Sequence, residues 1–173
     1  MTHPFKIFVL SLALTFCFGN TVTMSGNSRH KARSVKTAIV SSPKATLTTA
    51  IVKALGFGGQ TFKKKKNGVW TIGKSITVYS SQPFGSKIRG FAGPTPVFVA
   101  VNRSGKIVSV APAPNEESPE YFDAIKKSGL FQKWNGMTLK KATTYAPDAI
   151  TGATYSSAAV IRNVQATAKG VSK

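Results

Sequence analysis

The sequence predicts an α+β domain over residues 68–173, a small antiparallel sheet with a β-hairpin, packed by short helices and a C-terminal helix. Three observations predict it. The stretch Val69 to Tyr79 contains the strand-like alternation Ile76-Thr77-Val78. Two further apolar runs, Pro96 to Val101 and Lys106 to Val110, flank Asn102-Arg103-Ser104-Gly105, a hairpin turn with a glycine available for positive φ. Near the end of the chain, Ala159, Val160, Val164 and Ala168 recur at helical spacing. With 173 residues the chain is long enough for one core, and one domain with appendages is expected.

The elements follow in chain order. Lys6 precedes Ile7 to Phe18, an apolar run of signal-peptide length that is too short for an ordinary membrane span. Residues 1–25 therefore read as an export signal or an N-terminal anchor, which places the protein in the periplasm, at the cell surface, or anchored facing outward. A buried N-terminal helix is the alternative; the isolated Lys6 and the polar exit Gly19-Asn20-Thr21 favour the signal. Phe16 stands where a small residue would precede a lipidated Cys17, and the small residues around Thr23 and Ser25 are a weak cleavage signal, so cleavage and retention both stay open.

Residues 26–67 read as a basic linker containing a short helix. Ser42-Pro43 offers an N-cap and a first-turn proline, Leu47, Ile51 and Leu55 share a helical face, and Gly56 can end the helix. The stretch from Gly56 to Gly59 and the run Lys63 to Lys66 complete the linker, since four consecutive lysines cannot share one buried face. Such a run can touch anionic lipid, cell-surface polymer or nucleic acid, but a solvated run is commoner, and no aromatic residues are interleaved to stack on bases.

Within the domain, Ser118-Pro119-Glu120 opens a short helix with Phe122 and Ile125 on one side and Gly129 as its stop. Leu130, Phe131 and Trp134 form an apolar turn, and the last helix is expected from about Tyr155 to Ala168, with Gly170 past its end.

Charge and residue usage exclude several functions. The chain carries 24 Lys and Arg against 5 Asp and Glu, a formal charge of +19. That balance suggests nucleic acid, an anionic surface or anionic ligands. The location of the charge weakens the suggestion, because residues 1–66 hold eleven basic side chains and all five acids (Glu116, Glu117, Glu120, Asp123, Asp148) come later. A lone Cys17 rules out an internal disulfide, a Cys-rich zinc site and an iron–sulfur cluster. His3 and His30 lie outside the domain, which argues against a Ser-His-Asp triad and a His metal site.

The informative segment is Asp148-Ala149-Ile150-Thr151-Gly152-Ala153-Thr154-Tyr155-Ser156-Ser157, where a loop enters the last helix. Thr151, Gly152, Ala153 and Thr154 can aim backbone N–H groups and hydroxyls at one point, and the helix dipole favours an anion such as phosphate there. On physics alone a plain N-cap by Thr154 or Ser156 weighs somewhat more than a ligand site.

This run resembles the flavinylation motif of the FMN-binding domain family, in which Asp, two variable residues, Ser or Thr, and then Gly-Ala-Thr carry a covalent flavin. That family includes flavoprotein subunits of the sodium-pumping NADH:quinone oxidoreductase and of the Rnf complex. Gly90-Phe91-Ala92-Gly93-Pro94, Ser104-Gly105-Lys106-Ile107-Val108, Asn115-Glu116-Glu117-Ser118-Pro119 and Gly129-Leu130-Phe131-Gln132-Lys133-Trp134-Asn135-Gly136 resemble family segments in the same order, so the resemblance spans about residues 85–168.

The resemblance implies FMN joined to Thr154 through a phosphoester, installed by a separate flavin transferase that uses FAD and a divalent metal, with Ser156 as the reserve acceptor. It also implies that Asp148, Thr151, Gly152 and Ala153 contact the phosphate or are recognised during attachment. Glu117, Ser118 and Pro119 match the family's Glu-Thr-Pro segment near the flavin ring, with Ser in place of Thr. Phe122 and Trp134 can wall the ring, although buried aromatics in a small domain are more often core.

Covalent attachment suits an exported protein, because free FMN would diffuse away. The flavin would then supply the redox chemistry, and the protein would position it. The expected function is an exported electron-transfer protein relaying electrons from a membrane-associated donor in an extracytoplasmic chain. The alternatives are a small flavin-dependent reductase of a soluble acceptor and a basic protein binding nucleic acid or surface polymer. Nucleic acid is disfavoured, and a membrane surface is compatible with the charge.

Overall fold

A computed structural model describes residues 44–173. The expected signal or anchor, the first part of the linker and Ser42-Pro43 lie outside the described residues. The described chain runs α1 (Thr49–Ala54), β1 (Phe62–Lys66), β2 (Val69–Ile72), β3 (Ile76–Ser80), α2 (Gln82–Gly85), β4 (Val97–Asn102), β5 (Ile107–Pro112), α3 (Pro119–Lys127), a 3-10 turn at Leu130–Trp134, α4 (Leu139–Ala142) and α5 (Thr154–Val171). The five strands form one antiparallel sheet in sequence order, β1-β2-β3-β4-β5. This is the expected α+β architecture.

Strand alternation sends side chains to two faces, and helices cover both. One face carries Trp70, Ile72, Val78, Phe98, Ala100 and Ala111 beneath Leu47, Ile51, Val52 and Leu55. There Trp70 and Phe98 meet edge to face with centroids 5.7 Å apart. The other face carries Val97, Val99, Val101 and Val110 against Phe122, Ile125, Leu130, Phe131, Trp134, Val160 and Val164. Consequently β4 is buried on both sides, which explains its nearly unbroken apolar run. The β4–β5 hairpin turns through Gly105 at φ 72°, in the left-handed region the turn requires.

Four expectations are corrected. The segment 56–66, read as linker, is folded: Phe62–Lys66 is an edge strand paired with β2, with a bulge between Lys64 and Lys66. Its lysines are all exposed, as suits a solvent-facing edge where charge opposes further strand pairing. The folded part thus starts ahead of residue 68. The first helix is capped by Thr48, whose hydroxyl accepts from the Ile51 N–H, so Ser42 is not its cap. With six residues α1 is too short to be stable alone, and burial of Leu47, Ile51 and Leu55 holds it.

The last helix continues through Gly170 to Val171, and Gly170 is there for closeness, because a Cβ on it would overlap the Phe84 ring of α2. Finally, α5 is N-capped by neither Thr154 nor Ser156 but starts after Ala153, with no side-chain cap. Among the described residues no helix is long and apolar enough to cross a membrane.

Candidate flavin site at the start of the C-terminal helix

The 18-residue α5 begins at Thr154, directly after a turn in which the Ala153 N–H donates to the Ile150 carbonyl at 2.9 Å. Gly152 sits in that turn at φ 80°, a conformation that disfavours any side chain, although nothing crowds the place a Cβ would take. Ser157 holds the turn against the helix. Its hydroxyl oxygen accepts from the Ile150 N–H at 2.9 Å and donates to the Ala153 carbonyl at 2.8 Å. The first-turn N–H groups of α5 have no carbonyl a turn earlier and no side-chain cap, and they sit at the positive end of the helix dipole.

Two other segments close on this helix start. The loop 90–93 forms a turn through the Gly90 N–H and Gly93 carbonyl at 2.7 Å. Glu117, buried in the segment between β5 and α3, takes three successive amides of that loop. Its carboxylate accepts from the N–H groups of Phe91 at 3.2 Å, Ala92 at 3.1 Å and Gly93 at 3.1 Å, and also from the Ser156 hydroxyl. Asn115 orients Glu117, its Oδ1 accepting the Glu117 N–H at 3.1 Å while its amide donates to the Ala113 carbonyl.

Between these segments lies an open cavity of about 220 Å³, lined by Phe91, Glu117, Ser118, Tyr121, Gly152, Ala153, Thr154, Tyr155 and Ser156. Phe91, Tyr121 and Tyr155 are unusually exposed for aromatics, at 75%, 51% and 72%. Among the described residues no Lys or Arg lines the cavity, so the large basic excess is not what an anion would meet there.

The expected site residues divide as follows. Thr154, Gly152, Ala153, Ser156, Glu117 and Ser118 are brought together around the cavity. Thr154 is exposed, and its hydroxyl enters no side-chain hydrogen bond among the described residues. Ser156 is 3% exposed and its hydroxyl is committed to Glu117. Asp148, Thr151 and Pro119 are exposed and lie outside the cavity lining. Trp134 and Phe122 are core side chains and wall nothing in the cavity.

Sequence reasoning missed Phe91, Tyr121, Tyr155 and Ser157. Single exposed aromatics carry no periodic signal. Tyr155 and Ser157 had one available clue, their place within the Asp148 to Ser157 run.

Comparison with known families agrees with the geometry. Residues 90–169 match the family model described as FMN-binding domain, a span that includes the Gly90 loop, Glu117 and the start of α5. No curated protein and no solved structure matches the chain.

Proposed function

We propose, starting from the FMN-binding domain that residues 90–169 form, that Thr154 carries FMN as a phosphoester and that the protein relays electrons outside the cytoplasm. The observation that carries this reading is the contrast between two hydroxyls. Thr154 stands exposed at the first position of α5, at the mouth of the cavity, whereas Ser156 is buried and engaged by Glu117. A transferase can approach the first and not the second.

The residues present fit such a group. The uncapped start of α5 offers backbone N–H groups and the helix dipole to a phosphate. Beside it, the Phe91, Tyr121 and Tyr155 rings give an apolar rim that suits a planar heterocycle. During maturation the Thr154 hydroxyl would give up its proton and gain a bond to phosphorus as AMP leaves FAD, with the transferase supplying the metal. FMN, once held, supplies one- and two-electron redox chemistry. The chain itself positions the ring and keeps it attached after export, whatever its binding affinity. Export rests on the Ile7 to Phe18 run, and a membrane-associated donor is the partner this placement implies.

Co-expression with a flavin transferase, followed by intact mass and gel fluorescence under denaturing conditions, tests the assignment. The wild-type chain is expected to keep flavin through denaturation, and Thr154→Ala to lose it entirely. Flavin retained in that variant would move the acceptor elsewhere, and flavin absent from the wild type would end the covalent reading. A carrier is further expected to show no steady turnover with a soluble acceptor and an isolated donor; turnover would favour a reductase.

A further inference from the structure

We propose that Glu117 is a positioning residue that sets the Phe91 wall of the flavin cavity by fastening the loop 90–93 to the first turn of α5; the proposal rests on the flavin reading above. Phe91 is three-quarters exposed, so burial does not hold its ring in place. Its location comes from its backbone, whose N–H donates to the Glu117 carboxylate in a loop that the Gly90 N–H to Gly93 carbonyl bond also closes.

Three consecutive amides, those of Phe91, Ala92 and Gly93, converge as an anion-binding nest, and the chain fills it with its own Glu117. The Ser156 hydroxyl is the fourth donor. A carboxylate offers about four lone-pair sites, so these donors leave Glu117 no acceptor capacity for a substrate proton or for an attacking hydroxyl. Its role is therefore mechanical. It joins three segments far apart in sequence, the Gly90 loop, the turn ahead of α3 and the start of α5.

Gly90 supports the assignment. A Cβ there would lie 2.5 Å from Glu117 Oε1 and 2.9 Å from its Cδ, so the carboxylate reaches the nest only because residue 90 has no side chain. Phe91 and Tyr155 then stand on the same cavity, one delivered by the fastened loop and the other by the helix that Ser156 ties to the same oxygen.

The test uses the full chain in two forms. In the flavin-free protein, amide hydrogen exchange is followed for wild type, Glu117→Gln and Gly90→Ala. The second variant keeps the carboxylate and displaces it, which covers the event that the first does not fold. Exchange at Phe91, Ala92 and Gly93 is expected to rise at least about tenfold in both, as loss of hydrogen bonds to a charged group implies, with β4 and β5 unchanged. Unchanged exchange at those three amides overturns the proposal.

In protein loaded by a transferase with FAD and magnesium, the visible circular dichroism of the flavin reads the wall. Glu117→Gln is expected to lose as much of it as Phe91→Ala, and the double variant to lose no more than Phe91→Ala alone. Additive losses would mean that Glu117 acts independently of Phe91, and would overturn the positioning role. A wild-type chain that takes up no flavin defeats the function proposed above, while the exchange measurement still decides whether Glu117 fastens the loop.

Discussion

Two regions of this domain hold their shape by different means. Around β1, β2 and α1 the chain has no acidic residue, and order comes from strand ladders and from apolar side chains such as Trp70, Phe98 and Leu55 buried on one sheet face. Around the cavity, three irregular segments are joined by side chains bonded to backbone, with Glu117 on Phe91, Ala92 and Gly93, Asn115 on Glu117, and Ser157 on Ile150 and Ala153. A ladder repeats, so losing one side chain on its solvent face changes little. A side-chain clamp does not repeat, and the geometry it holds depends on a single residue. The shape of the cavity end therefore rests on individual side-chain clamps, whereas that of the other end is spread along a repeating ladder.

The largest expected effect lies in the supporting region. Phe98 is fully buried and meets Trp70 edge to face, so Phe98→Ala removes a large core side chain and leaves a void. It should destabilise the domain by about 3–5 kcal/mol, a fall in Tm on the order of 10 °C by calorimetry. Exchange at the site loop should rise only to the extent that global unfolding does. If instead the site loop alone loosened, the two regions would not be held independently.

A smaller, local effect is expected from Ser157→Ala. The variant leaves the partly buried Ile150 N–H without its acceptor and frees the turn that carries Gly152 and Ala153. A fully buried donor left unpaired costs about 1–3 kcal/mol, and this partly buried one sits at the low end of that range. We expect faster exchange at Ile150 and slower flavin loading at the proposed acceptor Thr154, with a Tm drop well below that of Phe98→Ala. Equal drops for the two variants would show that the turn belongs to the core and that the two regions are not held by different means.

The same contrast explains what could be read from the sequence. Periodicity revealed β4 and β5, α3 through Phe122 and Ile125, and α5, because each buries a face at regular spacing. It failed for β1, where Lys63 to Lys66 have no apolar alternation and the strand exists because β2 pairs with it. The gathering of Gly152, Ala153 and Thr154 at the start of α5 was legible because the run that carries them is contiguous. The Glu117 clamp was not. Its partners lie 24 to 39 residues away, and neither Gly90 nor Ser156 shows locally that it adjoins a carboxylate. Gly170 misled for a similar reason, since Phe84, the side chain that demands a glycine there, lies on another helix.

The smallest expected effect concerns Asp123 on the outer face of α3. The Lys126 ammonium, one helical turn away at 2.9 Å, donates to its carboxylate and attracts it, holding the Asp123 carboxyl below its ordinary value of 3.8. A carboxyl lowered in the folded state contributes stability that is present above its unfolded pKa and is lost as pH falls through the folded one. Both groups are exposed, so solvent and salt screen the pair. Asp123→Asn should therefore leave Tm at neutral pH nearly unchanged and flatten slightly the acid limb of a Tm-against-pH curve below the ordinary Asp range. Half a molar salt should remove the difference between the two proteins. A large neutral-pH loss would mean that Asp123 does more than pair with Lys126, and that the α3 surface beside the cavity depends on side-chain clamps as the loop 90–93 does.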